Sequence, residues 1–324
     1  MNILILGGSG FVSGTLARLA LARGHAVWTV TRGQRPPLAG MTALPADRRQ
    51  PAPQPSFLTA DRRDPAAFHQ AIRSAAVTWD LVVDCIAFSP ADTRQDLAEL
   101  AGLAAHLVFI STDFVYHPAR RRFPQPEDPA EYLEDGYGGL KRQAELVLSH
   151  AENPGLAWTV LRPCHIYGPG SLLGCLPAHG RDPQLIQRLR AGQPLELVGG
   201  GHFLQQPLLA GDLAETILSL AGNPAAAGQT FNVAGPEMVE SREYYRLVAE
   251  ILGLALEVRE LPVDSFRAAH PEAASFLCHR IYDLSRLAAC GACVPATPLR
   301  DGLQAQVRAL EADARKAGAR EADG

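Results

Sequence analysis

A chain of 324 residues, 47% hydrophobic and 20% charged, can bury one large core or two closely joined ones and has an ordinary globular balance. Its formal net charge of −4 gives no basic field to attract nucleic acid or an anionic membrane. It opens with neither a basic leader nor an apolar run long enough to span a bilayer, so a cytoplasmic location is expected. The six cysteines sit mostly among apolar neighbours, as reduced thiols do. Cys290-Gly-Ala-Cys293, with Cys278-His279 upstream, has the spacing of half a zinc site. No second such pair exists, and glycine and proline surround it, so it reads as a packed turn and no metal is expected.

In chain order, the pattern predicts a buried strand over Ile3–Leu6, a helix over Phe11–Arg23 and strands at Ala26–Val30, Phe57–Thr59 and Leu81–Ile86. A helix over Asp92–Leu103, a strand over Leu107–Ser111, a helix over Gly138–His150 and a strand over Trp158–Leu161 follow. Aliphatic strands alternating with amphipathic helices predict an α/β fold: a doubly wound, Rossmann-like parallel sheet covered on both faces. Ligands then belong at the carboxyl ends of the strands. Residues 1–165, rejoined by 208–235, are expected to form the dinucleotide-binding part. Residues 166–207 and 236–311, where the alternation weakens, are expected to form a smaller substrate-capping portion, with 312–324 as a tail that frays. The proline-rich stretch 34–56 reads as a surface excursion, and 117–136, also proline-rich, as a mobile flap near the site.

Gly7-Gly8-Ser9-Gly10-Phe11-Val12-Ser13-Gly14 lies between the first strand and the first helix. Gly7 suits a tight turn, and Gly10 lets the main chain approach a pyrophosphate at the positive end of the helix dipole. The placement, more than the glycines, makes this a dinucleotide turn. It resembles the GxxGxxG turn of the extended short-chain dehydrogenases/reductases, also called the NAD-dependent epimerase/dehydratase family. Ser13 stands where that family has its third glycine, with Gly14 just after, which implies slightly altered helix packing.

The second strand ends in Val30-Thr31-Arg32-Gly33, with no carboxylate to hold a ribose 2′-hydroxyl. Arginine favours a 2′-phosphate, so Arg32 points to NADP(H), with NAD(H) as the other possibility. Asp61-Arg62-Arg63-Asp64 resembles the family's Asp-x-x-Asp segment, which implies cofactor contact at Asp61 and Arg62. Asp61 suits the adenine amino group, and Asp64 suits the N-cap of a helix from Pro65. By the same resemblance Cys85, Ile86 and Ala87 line the cofactor.

Tyr137 and Lys141, four apart at a helix start, share one face. An ammonium beside a phenol lowers its pKa, so Tyr137 is expected to act as acid or base, while Lys141 also reaches the nicotinamide ribose. The run Leu107–Tyr116 resembles the family strand that ends in a catalytic hydroxyl, which implies Thr112 in that role, with Ser111 as runner-up. Asp113 and Phe114 occupy the positions of an acid pair in the family's dehydratases. Phe114 replaces the glutamate, which disfavours dehydration and leaves reduction or epimerisation. Leu161-Arg162-Pro163-Cys164-His165-Ile166-Tyr167-Gly168-Pro169-Gly170 is similar to the family's LRPxxxYGPG. Pro163 and Cys164 are thereby placed at the cofactor and His165 at the substrate.

Gln205 stands where relatives acting on sugar nucleotides commonly carry a diphosphate-binding arginine. Losing that cation makes a smaller or uncharged polyol-like substrate plausible. A glutamine there also occurs in the branch of the chloroplast stem-loop RNA-binding proteins, which Trp79–Tyr116 resembles in layout. The resemblance covers about residues 1 to 305. It implies an NAD(P)-dependent oxidoreductase or epimerase acting on a hydroxyl or ketone carbon of a small sugar-like molecule. The rival is a catalytically silent dinucleotide-binding regulatory or RNA-associated protein. The intact Thr-Tyr-Lys set and the negative charge argue against it. The partner expected is a small-molecule substrate, with neither nucleic acid nor membrane, and a homodimer is left open.

Overall fold

The computed structural model of the chain describes residues 1–43, 56–152 and 155–322, and side chains as far as residue 316. Of the prolines expected on a surface excursion, Pro45, Pro51, Pro53 and Pro55 lie outside the described residues.

Eight strands form one sheet: β1 (Asn2–Leu6), β2 (Ala26–Thr31), β3 (Thr42–Ala43), β4 (Ser56–Thr59), β5 (Leu81–Asp84), β6 (His106–Ile110), β7 (Ala157–Pro163) and β8 (Gln229–Val233). Their order is β8-β7-β6-β5-β1-β2-β4-β3, and every pairing is parallel. The helices that position the site are α1 (Phe11–Ala22), α2 (Pro65–Ser74), α3 (Pro90–Leu100), α4 (Gly136–Ser149), α5 (Ala210–Ser219) and α6 (Leu299–Ala322).

Strand β1 shows why both faces must be covered. Ile3 and Ile5 pack into one hydrophobic cluster while Leu4 and Leu6 pack into another on the opposite face, as the two-residue period of a strand requires. On the first face α1 packs beside α5; on the second α3 packs beside α4. The strand order reverses at β1: β2 lies on one side and β5 on the other, with Leu6 level with both Val30 and Asp84. Loops leaving β1 and β5 diverge here and open a crevice at their carboxyl ends.

Local signals explain most boundaries. Asp64 caps α2, its carboxylate accepting the Ala67 N–H at 3.1 Å. Helix α3 starts at Pro90, two residues before the expected Asp92: Ser89 Oγ accepts the Asp92 N–H at 3.4 Å and Asp92 returns a bond to the Ser89 N–H at 3.0 Å. That capping box, with proline at the first helical position, is the start signal. The segment expected to fray from 312 continues α6 to Ala322.

Residues 117–136 do not form a free flap. Gln125 and Glu127 are buried. The Gln125 N–H donates to Ile281 O at 2.8 Å, and Glu127 accepts the Asn232 N–H at 2.7 Å. The segment is a strap sewn between β8 and residues 281–283, because its buried polar side chains need those partners.

A further core gathers Tyr167, Leu185, Leu195, Tyr244, Tyr245 and Leu303 around a short parallel pair, Leu195–Val198 with Val258–Leu261. No helix among the described residues is long and apolar enough to cross a membrane.

Candidate active site

One cavity of about 980 Å³ runs along the carboxyl ends of the strands, from the glycine turn to residues near the end of β7. At its first end Gly7, Ser9, Gly10, Phe11 and Val12 form the wall. Gly7 has φ +121°, a conformation side chains other than hydrogen resist, and its N–H donates to Val30 O at 2.8 Å. Ser13 does more than replace a glycine. Its buried hydroxyl accepts the Gly10 N–H at 3.0 Å, so that donor is turned into the fold. The N–H groups of Phe11 and Val12, in the first turn of α1, have no carbonyl four residues back to bond within the helix and remain for an anion.

Arg32 is exposed and lines the same cavity, as does Asp61. Arg62 borders it too, but its guanidinium is not free for a cofactor. It is 9% exposed and donates to Asp84 at 2.8 Å and to Asp96 at 2.8 Å, with Asp92 at 3.3 Å. Its charge balances buried carboxylates, and Asp84 in turn accepts the N–H groups of Ile86 at 2.6 Å and Ala87 at 2.8 Å. The knot shapes the loop after β5 from behind, leaving Cys85 and Ile86 on the cavity wall. Ala87 is behind the wall; its carbonyl accepts from Lys141 at 2.6 Å. Burial, with the Asp84 charge adding to it, pushes the Cys85 thiol up to about 12.

At the far end, Thr112 caps the turn Asp113–Val115, accepting the Phe114 N–H at 3.3 Å. Ser111 is committed elsewhere: its hydroxyl donates to Glu145 at 2.5 Å. Helix α4 comes close because residue 138 is glycine; a Cβ there would stand 2.1 Å from the Phe114 carbonyl oxygen. This close approach brings the half-exposed Tyr137 to the same stretch of cavity wall as Thr112, whose hydroxyl acts on its phenol.

Lys141 lies one turn on and is buried. Its Nζ donates to the carbonyls of Ala87 at 2.6 Å and Ile110 at 2.8 Å, and stands 4.8 Å from the ring centroids of Phe88 and of Phe109. Burial lowers its pKa to about 8. The expected lowering of the Tyr137 pKa by Lys141 is not what this geometry gives. Burial raises the phenol, Asp113 raises it further, and the opposing influences are the Thr112 hydroxyl and Arg181. The ammonium is instead directed at two carbonyls.

Pro163 and Cys164 line the cavity at the end of β7, where the Cys164 thiol donates to Gln206 O at 2.7 Å. His165 also lines it, edge-on to Tyr244. Burial, with Arg181 and Arg280 adding to it, holds its pKa down to about 4, so the imidazole is neutral at pH 7.

Two expected substrate residues sit differently from expectation. The Asp113 carboxylate lines the cavity, yet it is 2% exposed and already accepts from Arg280 Nη1 and the Tyr282 hydroxyl, with Arg121 at 3.7 Å. Gln205 does not line the cavity at all. It is fully buried, on a short strand paired with Val239–Glu240, and its amide finds no partner among the described residues. Phe114 is at the cavity wall, its ring 6.3 Å from that of Tyr137 and 5.6 Å from that of Phe276.

The sequence reading did not find Arg280, which completes the far wall from 167 residues beyond Asp113. No local pattern marks it. It also passed over Glu145, which pairs with the buried Arg162 at 2.7 Å. The spacing 137, 141, 145 could have shown a carboxylate on the buried face of α4.

A glycine turn at the switch point of a parallel sheet, and a cavity that continues to a tyrosine–threonine pair, define a dinucleotide-binding enzyme with room for a second small molecule. The chain belongs to the NAD dependent epimerase/dehydratase family, whose model matches residues 3–234. It is 30% identical over 303 residues to a 2-alkyl-3-oxoalkanoate reductase of Stenotrophomonas maltophilia, covering 89% of this chain and 85% of that one. It is 29% identical over 240 residues to the chloroplast stem-loop binding protein of 41 kDa b of Arabidopsis thaliana, a match to 74% of this chain and 60% of that one. The fold is similar to that of a UDP-glucose 4-epimerase from Thermotoga maritima solved with UDP-glucose, with TM-score 0.76 and 19% identity over 97% of this chain and 99% of that one.

Proposed function

We propose that this chain is an NAD(P)-dependent reductase or epimerase acting at a hydroxyl-bearing or ketone carbon of a small, sugar-like or polyol-like molecule. The observation that carries the reading is that Tyr137 and Thr112 stand together on the wall of a cavity whose other end is the glycine turn. A bound nicotinamide dinucleotide supplies or accepts the hydride. Gly7 to Val12 hold its phosphates, and Cys85, Ile86, Pro163 and Cys164 border its nicotinamide half. Thr112 donates to the substrate oxygen and fixes its position, and the Tyr137 hydroxyl gives or takes that oxygen's proton. Lys141, held by two carbonyls, keeps a third N–H that would hold the ribose of a bound dinucleotide.

Arg32, exposed on the wall without a carboxylate beside it in sequence, favours NADP(H). Dehydration is disfavoured on two grounds: Phe114 carries no proton, and the Asp113 carboxylate is held by Arg280 and Tyr282. The name of the stem-loop binding relative supports a silent, RNA-associated reading less well, since the chain is acidic overall and the proton-transfer groups are all present.

Tyr137→Phe tests the reading. Turnover is expected to fall by at least about a hundredfold while dinucleotide affinity stays within a few-fold of the parent. Unchanged turnover sinks the mechanism. Dinucleotide binding without turnover on a broad alcohol and ketone panel, in both variant and parent, favours the silent reading.

A further inference from the structure

Arg280 lines the cavity with a side chain 1% exposed and only partly bonded. Its Nη1 donates to Asp113, while Nε and Nη2 have no acceptor among the described residues. Nε–H and Nη2–H form the side edge of the guanidinium, two parallel donors spaced to meet the two oxygens of one carboxylate. Buried charged donors left without an acceptor are costly, so this edge, covered from solvent in a residue that borders the cavity, calls for an anion brought by a ligand.

The charge balance points the same way. Arg121 and Arg280 are both buried, and both draw on the single carboxylate of Asp113. Tyr282 also donates to that carboxylate, and burial keeps its phenol well above its usual pKa, hence neutral. His165, lowered in part by Arg280, is neutral as well. The wall therefore carries one positive charge in excess, with Arg181 adding another from the solvent side. The position is close to the proposed chemistry: Arg280 Cζ lies 4.1 Å from the centroid of the Phe114 ring, against which Tyr137 also packs.

We propose that the substrate is a hydroxy acid or oxo acid, whose carboxylate is taken by the free edge of Arg280 while its hydroxyl or ketone meets Thr112 and Tyr137. This rests on the reading of Thr112 and Tyr137 as the proton-transfer pair. One guanidinium edge suits one carboxylate better than a diphosphate, and Gln205, fully buried and not among the residues lining the cavity, supplies no second grip. In oxidation, the carbinol C–H bond breaks and its hydride passes to an oxidised nicotinamide dinucleotide. The O–H proton passes to Tyr137 and on to solvent, leaving the ketone, the reduced dinucleotide and one proton. Reduction is the same step reversed.

The test uses the full chain with saturating dinucleotide and matched pairs of 3-hydroxy acids and their methyl esters, of increasing chain length, beside nucleotide-diphosphate sugars. For the preferred chain length, kcat/KM for the acid is expected to exceed that for its ester by about tenfold or more. Arg280→Lys keeps a cation beside Asp113 but loses the fork, so the acid preference is expected to shrink by about tenfold, mainly through KM. Thermal unfolding of Arg280→Lys is followed in parallel, and the acid-to-ester ratio of the parent stands whether or not the variant folds.

Equal use of acid and ester, turnover of no acid, or preference for a nucleotide-diphosphate sugar overturns the proposal. The Tyr137→Phe variant separates the two readings. Turnover that survives it removes the proton-transfer assignment, whereas Tyr137-dependent turnover indifferent to the carboxylate removes only the role given to Arg280.

Discussion

At its glycine-turn end the cavity is walled by residues of one turn, Gly7 and Ser9 to Val12; at its far end Asp113, His165 and Arg280 arrive from three distant segments. The first end works through backbone: a positive φ at Gly7 and the first N–H groups of α1. The second works through buried side-chain charges that depend on one another, Arg121 and Arg280 both drawing on Asp113. The difference determines what each end tolerates. A backbone site depends on a few φ/ψ angles and little on neighbouring chemistry. A site of buried charges depends on every partner being present, since removing one leaves another unpaired.

The largest effect that can break this comparison is at Glu145. It accepts from Arg162 Nε at 3.0 Å and Nη2 at 2.7 Å, from Ser111 at 2.5 Å and from Arg142 at 2.9 Å, in the wall behind Thr112. Arg162 holds its carboxyl below the usual glutamate range against the effect of burial. Glu145→Ala is expected to cost about 3–5 kcal/mol, because it leaves the Arg162 charge buried without a carboxylate. Urea unfolding at neutral pH checks this. A loss under about 1 kcal/mol would mean that the far end is as tolerant as the glycine turn.

How legible each end was in the sequence follows the same division. The glycine turn, its strand and its helix are contiguous, so β1, α1 and the turn between them could be read from one stretch. Asp64 and its helix could be read for the same reason. Thr112, Tyr137 and Lys141 came from spacing together with family resemblance, and they lie around one cavity. The misreadings share one physical cause, that partners distant in sequence decide where a polar side chain turns. The Arg62 guanidinium is taken by three carboxylates; Gln205 is fully buried off the cavity; the strap 117–136 is held by Asn232 and Ile281. Arg280 was invisible because its meaning depends on Asp113.

Lys141 stands between the two ends and sharpens the contrast by pH. Its folded pKa is about 8, below the ordinary value of about 10.4. Between these values the unfolded chain binds the proton and the folded chain releases it, so this group's contribution makes stability rise with pH across that window. Below pH 8 both states are charged, and folding then carries the full cost of burying the ammonium. Relative to Lys141→Met, the parent is expected to gain on the order of 3 kcal/mol between pH 7.5 and 10.5. Unfolding free energies of both proteins, measured in urea across that range, give the difference directly. Parallel curves would show that the ammonium is not desolvated as its two carbonyl bonds imply.

The smallest effect is expected at the glycine-turn end, and it is selective. Backbone N–H groups bind a pyrophosphate whichever dinucleotide carries it, so most side-chain changes around the turn should alter both affinities alike. Arg32 is the exception: it is exposed, reaches the cavity from the end of β2, and has a charge that matters only if the ribose carries a 2′-phosphate. Arg32→Ala is expected to weaken NADP(H) about tenfold, which is about 1.4 kcal/mol, while NAD(H) changes less than about twofold. Because the site is open to solvent, added salt should narrow that gap. Fluorescence titration of both reduced dinucleotides at two ionic strengths reads all of this. Equal weakening of the two would show that Arg32 shapes the turn itself. No weakening of either would leave cofactor choice to backbone alone, and the glycine-turn end would then owe nothing to side-chain charge.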